Sequence, residues 1–265
     1  RTSKIMPKLY KKDDFKDNCG FGLIANINGV SSRKIVTDSI KALVSMTHRG
    51  GIGSDGKTGD GCGLLVDINK DFYKEVLFKE QKINLPDKYA IGQMFLSSNI
   101  NDLLSKIKNI LKSENLELIT YREVPVNKKV LGEIALDCLP NIYQIFISPN
   151  SQNDDEKDFQ TSLLQARKFI EEIYLDDEEL YFCSFSSKTI IYKGLMLPND
   201  INNFYTDLKS KEFKSSICVF HQRFSTNTSP RWHLAQPFRY LAHNGEINAI
   251  RGNRNWVKER SSIFS

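Results

Sequence analysis

The sequence lacks any hydrophobic run long enough to cross a membrane. No stretch of its 265 residues approaches 18 uninterrupted apolar residues, so we expect no transmembrane helix. We also expect no secretory signal in these residues, because the basic stretch at 1–12 continues into Asp13, Asp14 and Phe15 instead of an apolar segment. Both absences favour a cytoplasmic protein with no membrane partner.

Cysteine pairs at metal-ligand spacing are also absent. The five cysteines, at positions 19, 62, 138, 183 and 218, are odd in number, and none forms a CxxC pair. This pattern argues against a disulfide framework or a zinc site and favours reduced thiols. We therefore expect no metal in this chain.

Little excess charge remains once the first residues are set aside. Of the formal charge of +5, residues 1–18 contribute +3 (six Lys and Arg, three Asp), and the rest contributes +2 (31 against 29). A body so close to neutral gives no support for nucleic-acid binding. No linker rich in Pro, Gly or Ser divides the chain, whose length suits one large domain or two small ones.

The apolar periodicity predicts more strands than helices, in groups instead of strict alternation. Strands are predicted at 19–27, 63–68, 89–97, 116–126, 142–148, 180–187, 189–195, 217–225 and 240–243. Helices are predicted at 33–47, 100–111, 159–174, 200–208 and 246–260. We expect the strands at 180–187 and 189–195 to form a hairpin. The order favours an α+β layered-sheet fold.

A glycine-rich loop contains a motif that is typical of nucleotide-binding proteins. Seven of the 15 glycines lie in residues 50–63, and residues 51–58 match the phosphate-loop pattern GxxxxGK[ST]. That pattern binds phosphate when a strand precedes it and a helix follows. Here a predicted helix precedes and Gly59-Asp60-Gly61-Cys62-Gly63 follows, so a P-loop nucleotide binder is a weak alternative.

Cys19 is the first candidate for chemistry. It begins an apolar strand and is followed by Gly20 and Gly22, which leave room beside the sulfur. A buried structural thiol is the simpler interpretation for a lone cysteine. The chain offers no histidine nearby in sequence, but removal of residues 1–18 would place the new α-amino group within reach of the thiol as a base.

Two further segments carry candidate polar groups. In the strand at 217–225, Arg223 offers a planar fork for a carboxylate, although a partly exposed arginine at the sheet surface is the simpler interpretation. In His243-Asn244-Gly245-Glu246, the Asn244 amide and the Gly245 N–H form a donor pair suited to an oxyanion. Asn-Gly is also a hairpin signal, but the predicted helix that follows does not fit a hairpin.

Together these segments resemble the class II (N-terminal nucleophile) glutamine amidotransferases, and within them the large chains of bacterial NADPH-dependent glutamate synthases. The similar stretches are DNCGFGLIANI at 17–27, MTHRGGIGSDGKTGDGCGLL at 46–65 and HQRFSTNTSPRWHLAQPFRYLAHNGEINAIRGNRNW at 221–256. The resemblance implies an αββα sandwich of two stacked antiparallel sheets between helix layers.

The resemblance also implies a role for each matching residue. Cys19 would be the nucleophile, exposed when residues 1–18 are removed, and Asn244 with the Gly245 amide would form the oxyanion hole. Arg223 would bind the substrate α-carboxylate, Thr226 would lie in the same binding segment, and Arg49 would border the nucleophile. Residues 19–265 would then be the amidotransferase domain, with glutamine as its substrate.

The remaining parts implied by the resemblance lie outside this chain. They are a synthase domain with FMN and an iron–sulfur cluster, and an FAD/NADPH-binding small subunit. An aspartate that holds the substrate amino group in this family has no counterpart here before Ser265, so we expect the domain to be incomplete at its C-terminal end. The alternative function is an inactive fragment, unprocessed or truncated, with a structural role.

Overall fold

In the described part of the chain, eight strands form two antiparallel sheets of four. The computed structural model describes residues 20–150, 155–174, 176, 179–223, 228–239, 241–243 and 250–260. The strands are β1 (Phe21–Ala25), β2 (Cys62–Asp67), β3 (Ala90–Leu96), β4 (Leu116–Glu123), β5 (Asn141–Pro149), β6 (Leu180–Ser186), β7 (Thr189–Gly194) and β8 (Ile217–Gln222). The first sheet has the order β1-β8-β2-β7 and the second has the order β4-β5-β3-β6.

The helices cover the sheets. They are α1 (Arg33–Ser45), α2 (Lys70–Gln81), α3 (Leu104–Ser113), α4 (Glu133–Asp137), α5 (Glu156–Glu171), α6 (Ile201–Phe204) and α7 (Ile250–Glu259). Short 3₁₀ turns occupy Thr47–Arg49, Ile100–Asp102, Lys128–Val130, Pro198–Asp200, Thr206–Lys209 and Trp232–Leu234. Each helix that the structure describes is too short or too polar to span a bilayer.

Alternation along β3 shows how the layers stack. Ile91 and Phe95 belong to a core that includes residues of the first sheet, whereas Ala90 and Met94 belong to a core shared with α3 and α5. On the same face as Ile91 and Phe95, the Gln93 side chain donates from Nε2 to the Ile191 carbonyl of the first sheet, at 2.7 Å. α1 packs on β1 and β8. The predicted αββα sandwich is therefore confirmed.

Several local predictions differ from the structure. Of the strand predicted at 240–243, the structure describes positions 241–243, and these form no strand, since only Leu241 pairs, in an isolated bridge to Phe238. The predicted hairpin is wrong, because β6 pairs with β3 in the second sheet while β7 pairs with β2 in the first. The chain crosses between the layers at this turn, which strand periodicity does not reveal. α2 was not predicted, although Asn69 caps it by accepting from the Phe72 amide at 3.1 Å.

Candidate active site

Pairing between β1 and β8 positions the start of β1 beside Arg223. Phe21 lies opposite His221, and Gly20, the residue before Phe21, accepts at its carbonyl from the Gln222 amide at 2.6 Å. Arg223 follows directly, and its amide donates to the Gly61 carbonyl at 2.8 Å. The end of β8 therefore contacts both the residue after Cys19 and the glycine-rich loop.

Arg49 approaches the same point from the 3₁₀ turn after α1. A Cβ on Gly20 would lie 3.5 Å from the Arg49 Cβ and 2.4 Å from the Gln222 carbonyl oxygen. A Cβ on Gly50 would lie 1.7 Å from Gln222 Nε2. Gly20 is therefore restricted to glycine by the Gln222 backbone, and a side chain at position 50 would have to displace the Gln222 side chain. The structure brings Arg49 and Arg223, two predicted site residues, to the start of β1.

The Arg223 side chain is buried and directed toward the glycine-rich loop. Its guanidinium donates from Nη1 to the Asp60 carbonyl at 3.3 Å and from Nη2 to Thr228 Oγ1 at 2.7 Å. Burial lowers the pKa of Arg223, while the nearby Asp60 opposes this effect. The alternative of a partly exposed arginine is therefore wrong, since only 6% of Arg223 is exposed. With five N–H donors in a rigid fork, the group can still bind a carboxylate.

Four predicted site residues lie outside the described part of the chain. They are Cys19, Thr226, Asn244 and Gly245. The residue before Asn244 is described: the His243 amide donates to Gln236 Oε1 at 2.8 Å, and Gln236 Nε2 donates back to the His243 carbonyl. Gln236 is buried. Sequence reasoning missed this residue, because its contact joins two loop positions that no periodicity links.

The four cysteines other than Cys19 are poor nucleophiles. Cys62, Cys183 and Cys218 are fully buried, and burial raises the pKa of Cys183 and of Cys218 to about 12. Cys138 is exposed, but partial burial still raises the pKa of its thiol. A thiol must ionise to attack, so none of these four is an activated nucleophile. Cys62, Cys183 and Cys218 are buried thiols, whereas Cys138 is exposed and is not one.

The phosphate-loop match does not have the structure that phosphate binding needs. Residues 51–58 follow a 3₁₀ turn and lead into β2, not into a helix. Thr58 Oγ1 donates to Asp55 Oδ2 at 2.6 Å and accepts from the Ala135 amide at 3.1 Å. Asp55 Oδ2 also accepts from the Ile134 amide at 3.1 Å. The loop therefore caps α4 with its own polar side chains, and nothing favours a nucleotide.

No metal-binding arrangement is present within the described ranges: His, Cys, Asp and Glu side chains there form no group of three or more that could hold an ion. Among the described residues, those that the structure brings to the start of β1 offer an arginine guanidinium and backbone amides.

A family model described as class II glutamine amidotransferases matches residues 19–265. The chain is 40% identical to ferredoxin-dependent glutamate synthase 1 of Arabidopsis thaliana, over 98% of this chain and 17% of that protein. It is 41% identical to the NADPH glutamate synthase large chain of Bacillus subtilis, over 99% of this chain and 18% of that protein. It is 39% identical to the NADH glutamate synthase of Saccharomyces cerevisiae, over 97% of this chain and 12% of that protein. The chain thus spans less than a fifth of the length of these relatives.

Proposed function

Because the chain belongs to the class II glutamine amidotransferases, we propose that it hydrolyses the side-chain amide of glutamine and passes the ammonia to a synthase domain of the same full-length protein. The synthase domain would use this ammonia to make glutamate from 2-oxoglutarate. The observation that carries the proposal is that the segments containing Arg49 and Arg223 both lie beside Gly20, directly after the residue at which the family match begins, Cys19.

In the proposed reaction, the Cys19 thiolate attacks the amide carbon of glutamine. The tetrahedral intermediate collapses to a γ-glutamyl thioester as the C–N bond breaks, and the leaving nitrogen receives a proton and departs as ammonia. Water then attacks the thioester, which releases glutamate and regenerates the thiol. The α-amino group of Cys19 takes and returns the proton, so residues 1–18 are proposed to be a leader and residues 19–265 the amidotransferase domain.

The other site residues are assigned by charge and donor geometry. Arg223 binds the α-carboxylate of glutamine through its planar fork, supported by Thr226, and Arg49 borders the nucleophile. The Asn244 side-chain amide and the Gly245 N–H stabilise the oxyanion of the tetrahedral intermediate. The short distance between Gly20 and both arginine segments supports this arrangement.

The partners of the proposed reaction lie elsewhere in the full-length protein. Relatives that use ferredoxin, NADPH and NADH by name are 39–41% identical to this chain. The NADPH donor, FMN, an iron–sulfur cluster and an FAD/NADPH-binding small subunit are therefore proposals for the whole protein, as is its location in the cytoplasm. Glutamine hydrolysis as written uses none of these groups.

The test is release of glutamate from glutamine by the full-length protein. Cys19→Ala should abolish the release, because it removes the only proposed nucleophile. Cys138→Ala is the matched control, since Cys138 is exposed and has a raised pKa, and it should retain wild-type turnover. Release that survives Cys19→Ala would refute the proposal.

A further inference from the structure

Lys193 is a fully buried cation on β7, next to the candidate site. In the first sheet, Lys193 lies opposite Gly63 of β2, and Gly63 lies opposite His221 of β8. Arg223 is two residues beyond His221. Burying an ammonium group is costly unless it has partners, so the contacts of Lys193 indicate what it does.

Four contacts of Lys193 connect it to residues 232–239 and to β6. Its Nζ donates to the His233 carbonyl at 2.8 Å and to the Tyr181 hydroxyl at 3.2 Å. The same atom lies 4.6 Å from the centre of the Phe238 ring and 4.5 Å from that of Tyr181. Lys193 therefore holds residues 232–239 at two points, by a hydrogen bond at His233 and a cation–π contact at Phe238.

Gln236, between these two points, holds the chain that follows. Its side-chain amide makes both an accepting and a donating bond to the backbone of His243, and Gln236 is only 3% exposed. A buried amide paired with one peptide unit in this way fixes the position and direction of the chain. The next two residues are Asn244 and Gly245.

We propose that Lys193 and Gln236 are positioning residues for the oxyanion hole. Lys193 holds residues 232–239 against β7, and Gln236 holds the backbone of His243. Together they place Asn244 and Gly245 where these residues can bind the oxyanion. This inference rests on the proposed function, because the oxyanion role of Asn244 and Gly245 is part of it. Neither residue touches the substrate in this scheme. Each acts through the backbone that it holds.

The test uses Lys193→Met and Gln236→Met in the full-length protein, because methionine keeps the length of the side chain without its polar atoms. We expect kcat for glutamate release to fall at least tenfold in each variant, with KM for glutamine changed less than threefold. An oxyanion hole acts on the transition state, which is why kcat should carry the loss. The rate of Cys19 alkylation by iodoacetamide, which needs no oxyanion hole, should stay within twofold.

Arg122→Met is the control for destabilisation alone, since Arg122 is a second buried cation that bonds Gln144 and Asp207. It should lower the melting temperature and leave kcat unchanged well below that temperature. The proposal is overturned if both test variants keep kcat within twofold, or if kcat and alkylation fall together as in general unfolding.

Hydrogen exchange separates this inference from the proposed function. In both test variants, the peptide containing His243 and Asn244 should exchange faster than in the wild type, whether or not glutamine is hydrolysed. Unchanged exchange would overturn the inference. A wild-type protein that releases no glutamate but shows the faster exchange in its variants would refute the proposed function only.

Discussion

At position 223, the expected difference between arginine and lysine is one of geometry, because both carry the charge. Lysine would lose the fork that donates to Asp60 and Thr228 and is proposed to bind the substrate carboxylate. We expect Arg223→Lys to raise KM for glutamine by about 10- to 100-fold, the equivalent of a charge-assisted hydrogen bond of about 1.5–3 kcal/mol. The rise in KM can be measured from the kinetics of glutamate release, and kcat should change much less than KM.

Arg33→Lys is the matched control for this prediction. Arg33 is partly buried, and like Arg223 it donates to backbone carbonyl oxygens, those of Phe213 at 3.2 Å and Leu208 at 2.7 Å. It lies away from the start of β1, so its replacement should leave KM unchanged. If the two variants raise KM equally, Arg223 has no specific role in binding the substrate.

The sequence allowed some site residues to be predicted and not others, for a physical reason. Arg223 could be proposed from the sequence because its guanidinium chemistry and its place near the end of a predicted strand are both evident within a few residues. Lys193 and Gln236 could not be found, because their partners Tyr181, His233 and His243 are fixed by how separate segments pack. A buried lysine in an apolar strand reads like any other charged residue until its neighbours are known.

At the scale of elements, Asp55 ties the glycine-rich loop to the N-terminus of α4. Hydrogen bonds from Thr58, chiefly from its hydroxyl, and from Lys57 and Ile134 lower the pKa of Asp55 below its ordinary value. The ionised form is therefore favoured by folding, so its stabilisation is complete above the ordinary pKa of 3.8 and is lost as the pH falls below it. We expect Asp55→Asn to lower the melting temperature at neutral pH, with a difference from wild type that shrinks below about pH 4.

Asp38→Asn provides the comparison for Asp55. Asp38 pairs with Lys34 one turn away on the surface of α1, and such pairs contribute little. Its melting temperature should follow that of the wild type from neutral to acid pH. An Asp55→Asn difference that stays constant with pH would show that the carboxylate charge is not what holds the loop.

The same scale shows which elements periodicity could predict. α1 and α5 bury one regular stripe each, with Val36, Ile40 and Leu43 in α1, so the pattern alone located them. β6 and β7 are buried at nearly every position, although each is the last strand of its sheet. Their sequences give strands but not partners, since pairing depends on which layer each strand enters.

Across the whole molecule, a buried network joins the two sheets around Arg122 and Asp207. Arg122 donates to Asp207 and, from Nε, to Gln144 at 2.8 Å, and the Tyr192 hydroxyl of the first sheet donates to Asp207 at 3.0 Å. Burial raises the pKa of Asp207 even beside Arg122. Arg122→Met should therefore destabilise the protein by about 3–5 kcal/mol, because it leaves a buried carboxylate without its cation. The urea midpoint for loss of activity should fall by about 1 M or more.

A double variant tests whether the lost charge pairing is the cause. Arg122→Met with Asp207→Leu removes both charges, so it should recover part of the lost stability. If the double variant loses more unfolding free energy than the two single variants lose together, the packing of the side chains is responsible and the charge pairing is not.

The last prediction concerns residues 1–18. The alignment with the Bacillus subtilis protein covers 99% of this chain and leaves about three of the 265 residues unmatched, so it includes most of these 18 residues. While Asn18 is joined to Cys19, the nitrogen of Cys19 is an amide and cannot accept a proton. A full-length protein that begins at Cys19 should release glutamate from glutamine, with a rate that rises with pH through about 7.7–8.0, the ordinary pKa range of an α-amino group. A protein that keeps residues 1–18, verified by intact mass, should release none. Cys19-dependent activity in that longer protein would show that another group is the base and that removal of these residues is not needed for catalysis.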